Sequence, residues 1–146
     1  MGERQPYMRA ESNAKWARWG MVPIRLVVGL VFVMHGGMKL FSFGIPGTAA
    51  FLGKMGVPMP TVSAVVLIAA ELLGGLAIGI GFYARWAAAA LAFDMLVAIL
   101  VAKLHGGFFS PNGFEFELTL LAACLTIAML GSGGISLQRP STSNEA

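Results

Sequence analysis

The sequence predicts an all-α integral membrane protein, a four-helix bundle running up-down-up-down through a bilayer, with a short interfacial or re-entrant helical turn in its first loop. Three observations carry that expectation. Of the 146 residues, 57% are apolar and only 12% are Asp, Glu, Lys or Arg. That is about half the charged share of a soluble domain, too little to cover a globular surface. The apolar residues are gathered into four runs of roughly the length that crosses a bilayer core. None of these runs alternates with period two, and backbone in lipid must satisfy its hydrogen bonds within the segment, so each run becomes a helix.

Taken in order, residues 1–20 are a polar N-terminal tail carrying Arg4, Arg9, Lys15 and Arg18. No small-residue cleavage site closes the apolar run after it, so that run is expected to stay as a helix rather than be removed as a signal peptide. The transmembrane domain spans 21–137. Its first helix covers about 22–41, and the apolar run that forms it is broken near its end by His35, Gly36, Gly37 and Lys39. The Gly- and Pro-rich stretch 42–60 holds one short helical piece, Thr48 to Met55. The second helix covers about 61–80. The five residues Gly81 to Arg85 then force a tight antiparallel hairpin into the third helix, about 86–102. Ser110-Pro111 and Asn112-Gly113 are turn signals ahead of the fourth helix, about 116–130. The last two runs are short for a crossing of about 30 Å. Lys103 and Glu117 beside them can reach toward the headgroups. The tail 138–146 is expected to be disordered.

Charge placement says more than the formal net charge of +3. Arg4, Arg9, Lys15, Arg18, Arg25, Arg85 and Arg139 fall on one side of the predicted bundle, and Lys39, Lys54 and Lys103 on the other. The excess of Lys and Arg marks the cytoplasmic side, so both termini are expected there. The basic residues are too few and scattered for nucleic-acid binding. The single cysteine, Cys124, excludes an intrachain disulfide and the thiol pair of a dithiol oxidoreductase.

The polar exceptions inside the runs carry the functional information. A charge at helix centre costs roughly 2.5–3.5 kcal/mol on insertion scales. Glu71 lies mid-way along the second run and Asp94 mid-way along the third. A hairpin places them at similar depth, where they can meet, and two desolvated carboxylates do not both ionise cheaply. They suit a proton relay or a ligand contact, and equally a structural hydrogen bond. Arg25, Gly29, Gly36 and Lys39 share one face of the first helix, and Gly75 and Gly79 offer a small-residue face on the second. Arg25 and Arg85 are inner-side charges, Arg25 reading either as a snorkelling side chain or as a site residue. His35, Lys39, His105 and Glu115 converge at the outer end, with Lys103, Glu117 and four phenylalanines around them. That cluster suits a flat ring such as a quinone, or interfacial charge pairing. Its non-local spacing assigns no metal.

These residues assemble into a pattern. Arg25-Leu26-Val27-Val28-Gly29-Leu30-Val31-Phe32 with His35-Gly36 and Lys39-Leu40-Phe41 resembles the first helix of the DoxX family. Gly47 to Leu52 with Met55 to Pro58 is similar to its first loop, Glu71-Leu72-Leu73-Gly74-Gly75 to its second helix, and Gly81 to Arg85 to its hairpin. His105 to Phe109 with Asn112 to Glu115 resembles its outer loop. The likeness runs from about Pro23 to Leu137. Asp94 and Glu117 depart from it, standing where apolar or small residues are expected. The resemblance implies a small bacterial inner-membrane protein tied to membrane redox systems, with a protein partner in a redox complex and a quinone rather than a covalently bound cofactor. Family likeness does not by itself assign chemistry.

Three roles remain open at this level. The first is a quinone-linked membrane subunit rather than an independent enzyme. The others are a proton-coupled transporter or channel using Glu71 and Asp94, and a non-catalytic anchor or assembly protein. Homo-oligomerisation is compatible with all three.

Overall fold

A computed structural model describes residues 5–109 and 111–133. Arg4, Arg139 and the tail 138–146 lie outside the described residues. Among the described residues every regular element is helical, and the protein is an integral membrane protein.

Helix α1 spans Gln5–Met38, starting well before the apolar run. Its 34 residues correspond to about 50 Å at 1.5 Å per residue. It therefore outruns a hydrocarbon core of about 30 Å, and its polar first half extends beyond the lipid. The polar and small residues His35 to Lys39, which break the apolar run, do not break the helix at His35. The helix instead widens into a π turn at Lys39–Phe43, and Gly44, at φ 66° and ψ 170°, starts a second helix, α2 (Gly44–Lys54). This is the short helical piece expected in the first loop, longer than the stretch from Thr48. Helix α3 spans Pro60–Ile80. Gly81, at φ 76°, caps it in the left-handed conformation that glycine adopts without strain.

Helix α4 spans Ala84–Ala98 and runs without interruption into a π turn at Ile99–Lys103 and a 3-10 turn at Leu104–Gly106. The third crossing is thus 23 residues long, Ala84–Gly106, which removes the shortfall expected of the apolar run alone. Helix α5 spans Glu115–Leu130, 16 residues, and completes the four-helix bundle. Trp19–Lys54, Pro60–Ile80 and Ala84–Gly106 are long and apolar enough to cross a membrane. Helix α5 is shorter and lies mainly against α4.

The bundle is built from two helix pairs, α1 with α3 and α4 with α5, joined through α3 and α4. The first pair meets backbone to backbone. A Cβ added at Gly29 would lie 2.6 Å from the Gly75 carbonyl oxygen, and one at Gly75 would lie 2.8 Å from the Gly29 carbonyl oxygen. A Cβ at Gly36 would lie 2.9 Å from Leu72 Cγ. These are the two small-residue faces expected from the spacing. Phe32, Ile78, Leu91, Cys124 and Ile127 fill the centre. Leu30, Met34, Leu73 and Met129 point outward and are exposed. An apolar exterior of this extent is stable only against lipid.

Gly29→Ala is expected to lower stability by about 1–3 kcal/mol, because the added methyl must push two backbones apart. Gly37→Ala, whose added Cβ meets nothing within 4 Å, is expected to be neutral or stabilising by about 0.5–1 kcal/mol. Thermal unfolding of the purified variants in detergent compares the two.

Candidate functional site

One end of the bundle is bolted shut. Arg25 is 2% exposed. Its Nε donates to the Ile78 carbonyl at 3.0 Å, its Nη2 to the Gly79 carbonyl at 3.1 Å, and its Nη1 to the Ser132 carbonyl. Carbonyls at a helix C-terminus have no partner within the helix and carry the negative end of its dipole. A guanidinium fixed there ties α1, α3 and the segment after α5 together. Arg85 does the same for the other pair, with Nε donating to the Ala128 carbonyl at 3.0 Å. Arg25 therefore does not snorkel, and both arginines are spent on the closed end.

The opposite end holds a cavity of about 1300 Å³. It lies between the end of α1, its π turn, α2, the first half of α3, the second half of α4 and the start of α5. Neither Arg25 nor Arg85 lines it. Most of its wall is apolar, with Phe43, Phe51, Phe93 and Phe116 among the lining residues. Its polar groups fall into two sets. On the α1/α3 side, Lys39 Nζ donates to both oxygens of Glu71, at 2.7 and 2.6 Å, and the Glu71 side chain is 3% exposed. The Thr48 hydroxyl donates to the Lys39 carbonyl at 3.3 Å, which anchors α2 over the π turn. His35 Nδ1 lies 2.9 Å from the Val31 carbonyl. A carbonyl only accepts, so Nδ1 carries the proton and Nε2 is left for another partner. The imidazole lies against Phe116, with ring centroids 5.6 Å apart.

On the α4/α5 side stand Asp94 and Glu117. Glu117 Oε1 lies 3.7 Å from Lys103 Nζ, and Lys103 also donates to the Pro111 carbonyl at 3.0 Å. Among the described residues, Asp94 Oδ2 and Glu117 Oε2 are the buried side-chain oxygens without a hydrogen-bond partner. Both residues line the cavity.

Four of the expected site residues, His35, Lys39, Glu71 and Asp94, are thus brought to one space. His105 and Glu115 are not. His105 is exposed in the 3-10 turn, and Glu115 heads α5 outside the cavity wall. The partner of Glu71 is Lys39 rather than Asp94. Depth explains the difference. Lys39 looked like the outer end of its helix because the apolar run stops near it, yet α2 continues alongside α3. Glu71, in register with Lys39, is eleven residues into α3, about 16 Å from that helix's start. Lys39 therefore sits in the interior. Lys103 and Glu117, expected around the same cluster, do line the cavity, whereas Thr48 is not legible in the residue pattern, because its approach depends on the first π turn. Both π turns border the cavity, as such turns often border functional sites, and no residue pattern announces them. Among the described residues, no three His, Cys, Asp or Glu side chains gather into a metal-holding group.

Residues 20–104 match the profile of the DoxX family. CatD of Bacillus subtilis (strain 168), whose name proposes an oxidoreductase, is 31% identical over 118 residues, covering 81% of this chain and 84% of that protein. The inner membrane protein YphA of Escherichia coli (strain K12) is 29% identical over 121 residues, covering 79% and 85%. The uncharacterized membrane protein Rv3486 of Mycobacterium tuberculosis (strain ATCC 25618 / H37Rv) is 32% identical over 130 residues, covering 82% and 79%. No solved structure matches the chain.

Removing one partner of the Lys39–Glu71 pair strands a charge in the interior. Lys39→Met and Glu71→Leu alone are each expected to cost about 3 kcal/mol, whereas the double variant should return to within about 1 kcal/mol of wild type. A denaturant titration of all four proteins, read as a double-mutant cycle, measures the coupling.

Proposed function

This chain belongs to the DoxX family, and on that premise we propose that it is a membrane subunit of a redox system that holds a quinone-class ring in the cavity at the α2 end of the bundle. One observation carries the reading: an apolar, phenylalanine-lined cavity in which the polar groups of the α1/α3 wall are a lysine–glutamate pair and a histidine. A quinone, when bound, supplies two-electron, two-proton carrier chemistry. The residues present suit its shape and its oxygens. An ammonium has three N–H donors. Lys39 uses two on Glu71, so the third is available to a ring oxygen. Glu71 orients that ammonium through two hydrogen bonds. Imidazole is the side chain suited to exchanging protons at physiological pH, and the presence of His35 in the cavity wall, with Nδ1 on the Val31 carbonyl, supports that role for its Nε2. Phe51, Phe93 and Phe116 are suited to packing against a flat ring. The chain shows no bound-cofactor motif or nucleophile constellation of its own, which favours a subunit that receives electrons from a protein partner over an independent enzyme. The name of the relative CatD, which proposes an oxidoreductase, supports the redox part of this reading.

A second reading, a small proton-coupled transporter, is favoured by the unpartnered Asp94 oxygen. In that case a proton gradient across liposomes should drive flux that Glu71→Gln and Asp94→Asn abolish. The excess of Arg and Lys on one side supports the bacterial inner membrane with both termini cytoplasmic, and a reporter fused at residue 146 should be active in the cytoplasm.

Protein extracted from its native membrane directly into polymer nanodiscs is expected to carry a quinone-class lipid, detected by mass spectrometry of the organic extract. His35→Ala should reduce the retained amount by about tenfold, the weight of one buried hydrogen bond. No quinone in the wild-type extract, together with unchanged respiration in the His35→Ala strain, rejects the redox reading. The same preparation identifies any co-purifying protein, including a second copy of this chain.

A further inference from the structure

The cavity is a cleft open to the outside rather than a sealed void. Its charged residues and His35 are buried or half-buried, whereas the large side chains of its wall that are exposed are all apolar. The polar groups are therefore set back, and the rim is hydrocarbon.

Helical spacing locates part of that rim. On α3, Val62, Val66 and Leu73 are four and seven residues apart and share one face. Leu73 is exposed and lies outside the cavity wall, so this face is the outer surface of the helix. Val66, 61% exposed, belongs both to that face and to the wall. On α4, Trp86, Phe93 and Leu100 recur every seven residues along one face. Trp86 and Leu100 are exposed outside the wall, and Phe93, 68% exposed, belongs to both. Toward the hairpin the two helices are in contact, since a Cβ added at Gly74 would lie 3.0 Å from Leu91 Cδ1. Past that contact, α3 turns Ala70 and Val66 to the cavity, and α4 turns Phe93, Val97 and Val101 to it. The cleft thus opens between α3 and α4, at Val66 and Phe93.

Its depth decides what it faces. Val66 is six residues into a crossing of 21 residues, and Phe93 is nine residues into one of 23. At 1.5 Å per residue these are about 9 and 14 Å from the helix starts, inside a hydrocarbon core of about 30 Å. The opening faces acyl chains, not water. The cavity's volume of about 1300 Å³ also exceeds the roughly 300–1000 Å³ that enclose a drug-sized ligand, so a single ring leaves much of it unfilled.

We propose that the cleft between α3 and α4 is a lateral portal and a chain-binding site. The ligand is an amphiphile that enters from the bilayer, with its polar head toward the set-back Lys39, Glu71 and His35 and its hydrocarbon chain held between Val66 and Phe93. This rests on the quinone-class reading of the cavity and deepens it, by assigning the ligand's chain and its route of entry.

The test uses the full chain in nanodiscs of zwitterionic lipid and two probes with the same ring, decylubiquinone and a ubiquinone carrying a single isoprene unit. Equilibrium dialysis gives each dissociation constant, with empty nanodiscs correcting for uptake by the lipid. Val66→Trp places an indole where the longer chain passes. It should weaken decylubiquinone binding by about tenfold, the scale of overpacking a filled site, and leave the short-chain probe within about twofold. Phe93→Trp, a milder enlargement on the facing helix, should act in the same direction. Leu73→Trp, on the same face of α3 but outside the wall, should change neither probe. Size-exclusion elution and thermal unfolding check each variant, and Phe93→Trp decides the matter if Val66→Trp does not fold. Decylubiquinone binding unchanged in the folded portal variants overturns the proposal. An equal loss for both probes also overturns it, because the opening then acts on the ring and not on the chain. Binding of neither probe by wild type removes the quinone-class reading and the proposal with it, an outcome distinct from the other two.

Discussion

The backbone contact between α1 and α3 governs the rest of the architecture. Gly29 and Gly75 lie so close that a methyl on either would overlap the partner's carbonyl oxygen. In lipid there is little hydrophobic force between helices, so association depends on such close packing and on interhelical hydrogen bonds. The contact also sets register. With Gly29 opposite Gly75, Arg25 falls at the carbonyl end of α3 and Lys39 falls at Glu71. Both buried charges of α1 are therefore met by partners on α3. A shift of one residue along either helix would rotate the glycines off the contact and leave an arginine and a glutamate unpartnered in an apolar interior.

That register divides the bundle into a closed end and an open one. At the closed end, guanidinium groups fix helix carbonyls that would otherwise be unsatisfied, and the small residues bring α1 and α3 together. At the other end the helices change character. Both π turns sit there, one in the first crossing and one in the third. Each inserts extra length into a helical turn and reorients the chain beyond it. The first carries the chain into α2, which Thr48 holds in place. The second continues to Lys103, which can then reach both Glu117 and the Pro111 carbonyl. The cavity is the space these deviations leave, and its polar residues come from both helix pairs.

Much of the fold was legible from residue type. Four apolar runs, the five-residue hairpin at Gly81 to Arg85, and the glycine faces on α1 and α3 all come from local rules about lipid, chain reach and helical spacing. The site was legible in part. His35, Lys39, Glu71 and Asp94 stand out because polar groups in apolar runs are costly and need a reason. Their division into separate layers by depth does not match the cavity, which gathers all four. Counting residues from the end of an apolar run treats that end as the membrane surface, and α2 shows that the crossing continues past it. His105 and Glu115 join the cluster in the sequence by proximity in the loop, although the 3-10 turn and the head of α5 keep them out of the cavity.

The sequence by itself determined that this chain lives in a bilayer as helices, which residues are costly there, and which faces of α1 and α3 can approach. Those are one-dimensional properties, set by transfer energies and by 3.6-residue periodicity. Only the tertiary structure decided which costly residue meets which. Lys39 pairs with Glu71, Arg25 caps α3, and Asp94 and Glu117 join the cavity wall, each with one buried oxygen that has no partner among the described residues. Such pairing depends on register and on π turns, which arise from the packing of whole helices against one another. A difference of one turn in depth changes every partner while leaving the pattern of apolar and polar residues the same.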